Sequence, residues 1–334
     1  MIDKEFKVLE ILHQDSALSQ RDVALKVEVS VGTVNSIIKQ LVKKGYLTIN
    51  KLSNSQQYVV GEKGVVVLED YIKDSLNRKI VLPAKKQAKI KQAVILAAGE
   101  RTGFKMPIGF LKLGQETIIE RTIMLLHESG INDIIIITGY ESHYYEHLAK
   151  KYSRLTLVKN EDYRWTGTMA SLALSQTYIK DDFLLLESDI VFERKALLEL
   201  LKNKNRNCLL ITNESGSEDE VFVEIRDDYI FKMSKDRHQF NKIDGELIGI
   251  SKISIDIFEK MLEEYRHNKN PYFNYEYALL DVARTFSIGY TKLSDLVWTE
   301  IDTKWHYKNL INYIYPMLIE KDTRKKGAGQ VDAN

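Results

Sequence analysis

The chain has 334 residues, 44% of them hydrophobic and 28% charged, with a formal net charge of +1. That length accommodates two domains with sizeable cores, and the near-neutral balance excludes a global basic field, so any nucleic-acid contact must come from a local surface. A single cysteine, Cys208, excludes an internal disulfide and a cysteine-based metal site; with no apolar signal core at the start and no membrane-length run, a cytoplasmic setting without membrane contact is expected.

Residues 1–76 read as helices followed by a short hairpin. Phe6, Leu9, Ile11 and Leu12 recur on one helical face. Ser19-Gln-Arg-Asp22 has the form of a capped helix start. Ser30 caps the next helix, Val31 to Lys43, with Val34, Ile37, Ile38 and Leu41 facing inward and Gly45 as its stop. Tyr46 to Asn50 and Gln57 to Val60 alternate as strands about a turn at Asn54-Ser55, and a helix follows from about Glu62 to Ser75. This layout resembles winged helix-turn-helix domains of the MarR type. The resemblance implies that the helix from Ser30 enters the major groove of DNA, with Ser30, Thr33, Asn35, Ser36 and Lys39 outward and Lys51 and Asn54 on the wing. A homodimer on paired half-sites follows from that use; a module kept only for dimerisation or protein contact has the same pattern. Residues 77–91 form a linker whose Arg78, Lys79, Lys85, Lys86, Lys89 and Lys91 have no acidic residue between them, interrupted by Pro83.

From residue 92 to 320 the pattern alternates strand and helix. Strands are predicted at Gln92–Leu96, Asp133–Thr138, Leu155–Lys159, Phe183–Leu186 and Cys208–Thr212. Helices are predicted at Thr117–Ser129, Glu141–Tyr152, Met169–Tyr178 and Arg194–Asn203. Repeated units of this kind predict an α/β fold: a Rossmann-like mixed, mostly parallel sheet with helices on both faces and ligands at the carboxyl ends of its strands. Residues 321–334 are expected to be a disordered tail.

Two features of this region carry chemistry. The first strand runs into Leu96-Ala-Ala-Gly99, whose small residues let backbone N–H groups approach phosphates. Asp189 follows the buried strand at 183–186, and Val297-Trp-Thr-Glu-Ile-Asp302 alternates so that Glu300 and Asp302 share a face. A divalent cation such as Mg²⁺ needs a few carboxylates, and Asp189 with the acids of the 297–302 strand makes the candidate set.

Residues 93 to about 315 resemble the bacterial phosphocholine cytidylyltransferases and their relatives among NTP transferases. The matches are Ile95–Gly99, Ile134–Tyr140, Asn160–Tyr163, Glu187–Asp189, Gly249–Ser251 and Glu300–Asp302. The resemblance implies that Asp189 and Asp302 hold Mg²⁺, that Leu96, Ala97, Ala98 and Gly99 carry the nucleotide, and that Thr168 and Ser171 lie near the base and acceptor. It also implies CTP as donor and a small phosphorylated acceptor, such as phosphocholine, an aminoalkyl phosphonate or a sugar 1-phosphate. The chain departs from the family in having Gly103 and Ile108 where an arginine and a lysine are usual, so Arg101, Lys105 or Lys112 must balance the triphosphate. Tyr163, Trp165, Tyr272 and Tyr275, with Glu187 and Glu276, are candidates for the acceptor, the aromatic rings as a cage for a quaternary ammonium. The same rings also serve to pack a core or a dimer face. A regulator whose degenerate transferase domain senses a nucleotide or metabolite is the other function with this organisation.

Overall fold

The computed structural model describes residues 3–52, 55–77, 89–216 and 220–328, and the chain divides into two compact units, residues 1–79 and 80–334. In the first, helices α1 (Asp3–Gln14), α2 (Gln20–Val27) and α3 (Val31–Lys43) precede an antiparallel hairpin, β1 (Leu47–Leu52) and β2 (Ser55–Val60), and helix α4 (Glu62–Asn77). Local chemistry sets these limits. Ser19 and Asp22 cap each other's backbone amides and open α2, while Ser30 accepts from the Thr33 amide and opens α3. Gly45 takes φ +72°, which releases the chain from α3 into the hairpin. Val34, Ile37, Ile38 and Leu41 are buried in one cluster with Val8, Leu9 and Leu12. Phe6 and Ile11 of the expected α1 face are only half-buried, Phe6 stacking on Tyr71. Asn54 at the wing tip, and linker residues Arg78, Lys79, Lys85 and Lys86, lie outside the described residues; Lys89 and Lys91 are exposed.

The second unit begins with β3 (Gln92–Ala97), then short strands β4 (Lys112–Leu113) and β5 (Glu116–Thr117), helix α5 (Ile118–Glu128), β6 (Asp133–Thr138) and α6 (His143–Lys151). It continues through β7 (Leu155–Lys159), α7 (Thr168–Ala173), β8 (Phe183–Glu187), β9 (Ile190–Phe192) and α8 (Lys195–Lys202). Next come β10 (Cys208–Thr212), β11 (Phe222–Arg226), β12 (Tyr229–Ser234), β13 (Gly245–Ile253), α9 (Ile255–His267) and α10 (Tyr275–Ala283). The last elements are β14 (Gly289–Lys292), β15 (Trp298–Glu300), α11 (Lys304–Asn309) and α12 (Tyr315–Ala328).

Nine of these strands form one sheet, ordered β12-β11-β13-β8-β3-β6-β7 with β10 and β14 joined through β13. Strands β12 and β13 run against the other seven, so the sheet is mixed but mostly parallel. Its central strands are apolar on both sides because both faces are covered. Val94 and Leu96 pack with residues of α7, α9 and α10, whereas Ala93 and Ile95 pack with residues of α5, α6 and α8. Strand β13 forks: Ile250–Ile253 pair with β8, Gly245 and Glu246 pair with β11, and β10 lies along the opposite edge.

Two expectations are corrected. Helix α7 stops at Ala173 rather than Tyr178, and the chain goes on in tighter turns, the amides of Leu174, Ser175 and Gln176 each bonding three residues back. The expected tail from residue 321 is helical to Ala328, because Asp322 accepts from the Arg121 guanidinium at 2.7 Å and the Arg194 amide at 3.0 Å. Residues 329–334 lie outside the described residues. No helix among the described residues is long and apolar enough to cross a membrane.

Candidate active site

Parallel pairing of β3 with β8 brings Leu96 opposite Glu187, so both strands deliver their carboxyl ends to one place. There a cleft is lined by the loop Leu96-Ala97-Ala98-Gly99 and by Arg101. Thr168 and Ser171 of α7, with Glu187 and Asp189, line its other walls. Ser171 is fixed by Asn160, whose amide donates to it at 3.0 Å and to Thr166 at 3.1 Å. The Thr168 hydroxyl accepts from the Tyr275 amide, and its own amide donates to Asn274. The residues predicted to carry the nucleotide are therefore neighbours in space.

Asp302 comes to Arg101 from the far end of the sequence, without itself lining the cleft. Strand β15 pairs with β9, Glu300 opposite Ile190, and the Ile301 amide donates to the Asp189 carbonyl at 3.0 Å. The strand ends at Glu300, so Asp302 sits in the turn before α11 rather than on the expected alternating strand; its amide donates to His306 Nδ1. The two carboxylates nevertheless converge. Arg101 Nη2 donates to Asp189 at 2.7 Å and Glu300 at 3.3 Å, and lies 3.1 Å from Asp302.

Oxygens of Glu187, Asp189 and Glu300 lie within 4.8 Å of one another, close enough to share one cation; Asp302, expected as the second ligand beside Asp189, is not in that group. Burial pushes the Glu300 carboxyl up to about 9, with Asp189, Glu187 and Asp302 adding to the shift and Arg101 opposing it. Burial likewise pushes Glu187 up to about 8, helped by Glu276 and Asp189, although the Tyr275 hydroxyl donates to it at 2.6 Å. Asp189 Oδ1 is buried with no hydrogen-bond partner. Three converging carboxyls with a buried, unpartnered oxygen on Asp189 fit a divalent cation, which would favour their charged forms.

The other candidates are placed differently. Lys105 and Lys112 are exposed and do not line the cleft. Lys304 is likewise exposed and does not line the cleft, but its Cε lies 3.8 Å from where a Cβ at Gly103 would be, beside the loop that carries Arg101. The aromatic residues form no cage: Tyr275 is buried under Glu187, while Trp165 and Tyr272 are 67% and 55% exposed. Among the described residues no ring pair links Tyr163, Trp165, Tyr272 or Tyr275. A second, acidic pocket adjoins the centre, lined by Glu187, Glu220, Glu246, Glu276 and Glu300, with Lys235 and Trp298. Its depth comes from strand pairing that sequence spacing does not reveal. Tyr145 was also missed; it lines the cleft beside the Leu96–Gly99 loop with a buried, unpartnered hydroxyl that burial holds above the usual phenol range.

On the winged-helix face, Ser36 and Lys39 are exposed as predicted. Ser30 is taken up in capping, with Thr33 bonded to it at 2.8 Å, and Asn35 turns inward to donate to Gln20 at 3.1 Å. Gln20 in turn donates to Tyr58 of β2, so Asn35 ties α3 to the hairpin through α2.

The second unit has the fold of nucleotidyltransferases. The inositol-1-phosphate CTP transferase of T. maritima superposes with a TM-score of 0.60 at 17% identity, covering 70% of this chain and 96% of that one. The CTP:phosphocholine cytidylyltransferase of Streptococcus pneumoniae superposes at 0.55 with 23% identity, covering 67% and 98%. Residues 3–48 match the winged helix-turn-helix DNA-binding family model and residues 93–242 match the MobA-like NTP transferase domain model. Among curated relatives, the bifunctional IPC transferase and DIPP synthase of Thermococcus kodakarensis is 27% identical over 219 residues, 64% of this chain and 48% of the relative. The choline-phosphate cytidylyltransferase of Haemophilus influenzae is 34% identical over 139 residues, 37% of this chain and 59% of the relative. The chain thus spans about half the length of these relatives.

Proposed function

We propose that this protein transfers CMP from CTP to a small phosphorylated acceptor and binds DNA through residues 1–76 as a homodimer in the cytoplasm. The observation that carries the catalytic reading is the convergence of Asp189, Glu300 and Asp302 on one point beside the Leu96–Gly99 loop. Asp189 and Asp302 would hold Mg²⁺, with Glu300 and Glu187 beside them. The ion's chemistry there is neutralisation of the triphosphate and alignment of the α-phosphate. Backbone amides of the loop receive phosphate oxygens, and Arg101 and Lys304 supply positive charge. An acceptor phosphate oxygen attacks the α-phosphorus in line, the bond to the β-phosphate breaks, and pyrophosphate leaves. The carboxylates and Trp298 of the adjoining pocket suit an acceptor with a cationic amine head better than a neutral sugar. The preference for CTP is supported by relatives whose names specify that nucleotide.

The test is pyrophosphate release with Mg²⁺ and each NTP against phosphocholine, 2-aminoethylphosphonate and sugar 1-phosphates, with Asp189→Ala as control. Release with CTP and an amine-bearing acceptor, lost in the variant, is the expected result. The absence of arginine and lysine at Gly103 and Ile108 favours one other reading, a nucleotide-sensing regulator. Nucleotide binding without release for any pair would select it.

A further inference from the structure

We propose that Arg101 is an exchangeable occupant of the carboxylate centre: its guanidinium holds Asp189, Glu300 and Asp302 together until a divalent cation takes them, then turns to the triphosphate. The proposal rests on the reading of these carboxylates as the Mg²⁺ site. One nitrogen, Nη2, makes all three contacts, at 2.7 Å to Asp189, 3.1 Å to Asp302 and 3.3 Å to Glu300. A single atom in reach of three carboxylates stands among them, and two of the three, Asp189 and Glu300, belong with Glu187 to the oxygens close enough to share one ion. Two cations do not share such a point, because like charges a few ångströms apart in a partly buried site repel strongly and are weakly screened.

The fit of Arg101 to this place is incomplete. A guanidinium offers five N–H donors in a planar fork suited to one carboxylate or phosphate at a time. Here one nitrogen serves three separate acids, and Asp189 Oδ1 stays buried without a hydrogen bond. A spherical ion answers that arrangement better than a fork does.

The loop permits the exchange. Leu96 to Ala98 and Pro107 to Gly109 are buried anchors, while Gly99, Glu100, Thr102, Gly103 and Lys105 between them are exposed. Arg101 therefore turns without opening a core. It lines the same cleft as Ala97–Gly99, so the phosphates that those amides receive are within one side-chain length. Phosphate is a bidentate partner for the freed fork. Arg101 is thus a positioning residue in the resting centre and a phosphate ligand in the loaded one.

The experiment is calorimetric titration of the full-length protein with Mn²⁺ alone and with CTP in the presence of Mn²⁺. It compares wild type with Arg101→Ala, Arg101→Lys and Asp189→Asn. The expected result has opposite signs: Arg101→Ala binds Mn²⁺ alone about tenfold more tightly than wild type and CTP with Mn²⁺ about tenfold more weakly. Unchanged or weakened Mn²⁺ binding in Arg101→Ala would mean that the residue braces the carboxylates, and would overturn the proposal. Asp189→Asn separates the two layers. If it abolishes Mn²⁺ binding while Arg101→Ala changes nothing, only the exchange fails; if it binds Mn²⁺ like wild type, the metal reading fails and the exchange with it. Should Arg101→Ala not fold, Arg101→Lys decides by the same signs, because a monodentate ammonium meets three carboxylates less well and grips phosphate without the fork.

Discussion

Helix α3 offers Ser36 and Lys39 from a single stretch of 13 residues, whereas the carboxylate centre gathers Arg101, Glu187, Asp189, Glu300 and Asp302 from three distant segments. The helical face needs only its own cap and turn periodicity, so its exposed side chains act singly. The centre needs the register of β3 with β8 and of β9 with β15 before any two of its acids meet, so its members act together. Single changes are therefore expected to be graded on α3 and nearly all-or-none in the centre.

Asp189→Asn tests that contrast most severely. It is expected to lower kcat/KM for pyrophosphate release by at least about 10²-fold, the scale set by losing one transition-state electrostatic contact, while DNA affinity measured by fluorescence anisotropy stays unchanged. Equal losses in both assays would mean that the two units do not work separately. Lys39→Ala is the reciprocal case: DNA binding weakens by about 1 kcal/mol and the salt slope drops by about one, with turnover unaffected. Asn35→Ala is expected to lower thermal stability by about 1 kcal/mol through the lost bond to Gln20. A fall in DNA affinity far beyond that loss would show that the tie to Tyr58 sets the wing.

The acids can also be separated by pH. Glu187 and Glu300 stand at about 8 and about 9 in the fold against an ordinary 4.5. Between those limits the folded chain holds more protons than the unfolded one, so stability falls as pH rises. Metal-free protein is expected to melt at a lower temperature at pH 9 than at pH 6, and Glu300→Gln is expected to reduce the difference. An unchanged difference would mean that the pair does not titrate as a buried cluster. The smallest effect concerns Cys208, whose thiol burial pushes up to about 11. It is expected to resist thiol reagents at pH 8 in native protein and react on unfolding.

What could be read beforehand follows the same division. Caps at Ser19 and Ser30, the Gly45 stop and the apolar strands 133–138 and 208–212 are local patterns, and the fold keeps them. The position of Asp189 was legible because it follows an apolar strand, whereas Asp302 was singled out from Glu300 only by the family resemblance. The roles of Glu187 and Tyr275 were not. Spacing made both acceptor ligands, whereas sheet pairing and helix packing bring the Tyr275 hydroxyl onto Glu187. Lys304 escaped notice because nothing in the sequence ties it to Gly103, some 200 residues earlier in the chain.

The fork in β13 has a consequence for which compounds enter the acidic pocket. Gly249 lies at the fork with φ +71°, and a Cβ there would come within 3.0 Å of the Glu187 carboxylate. The pocket lies where β13 parts from β8 and moves over to β11, and the missing side chain at Gly249 leaves room for Glu187, one of the acids that line it. Under the proposed function, the room an acceptor finds there depends on one residue that has no side chain at all.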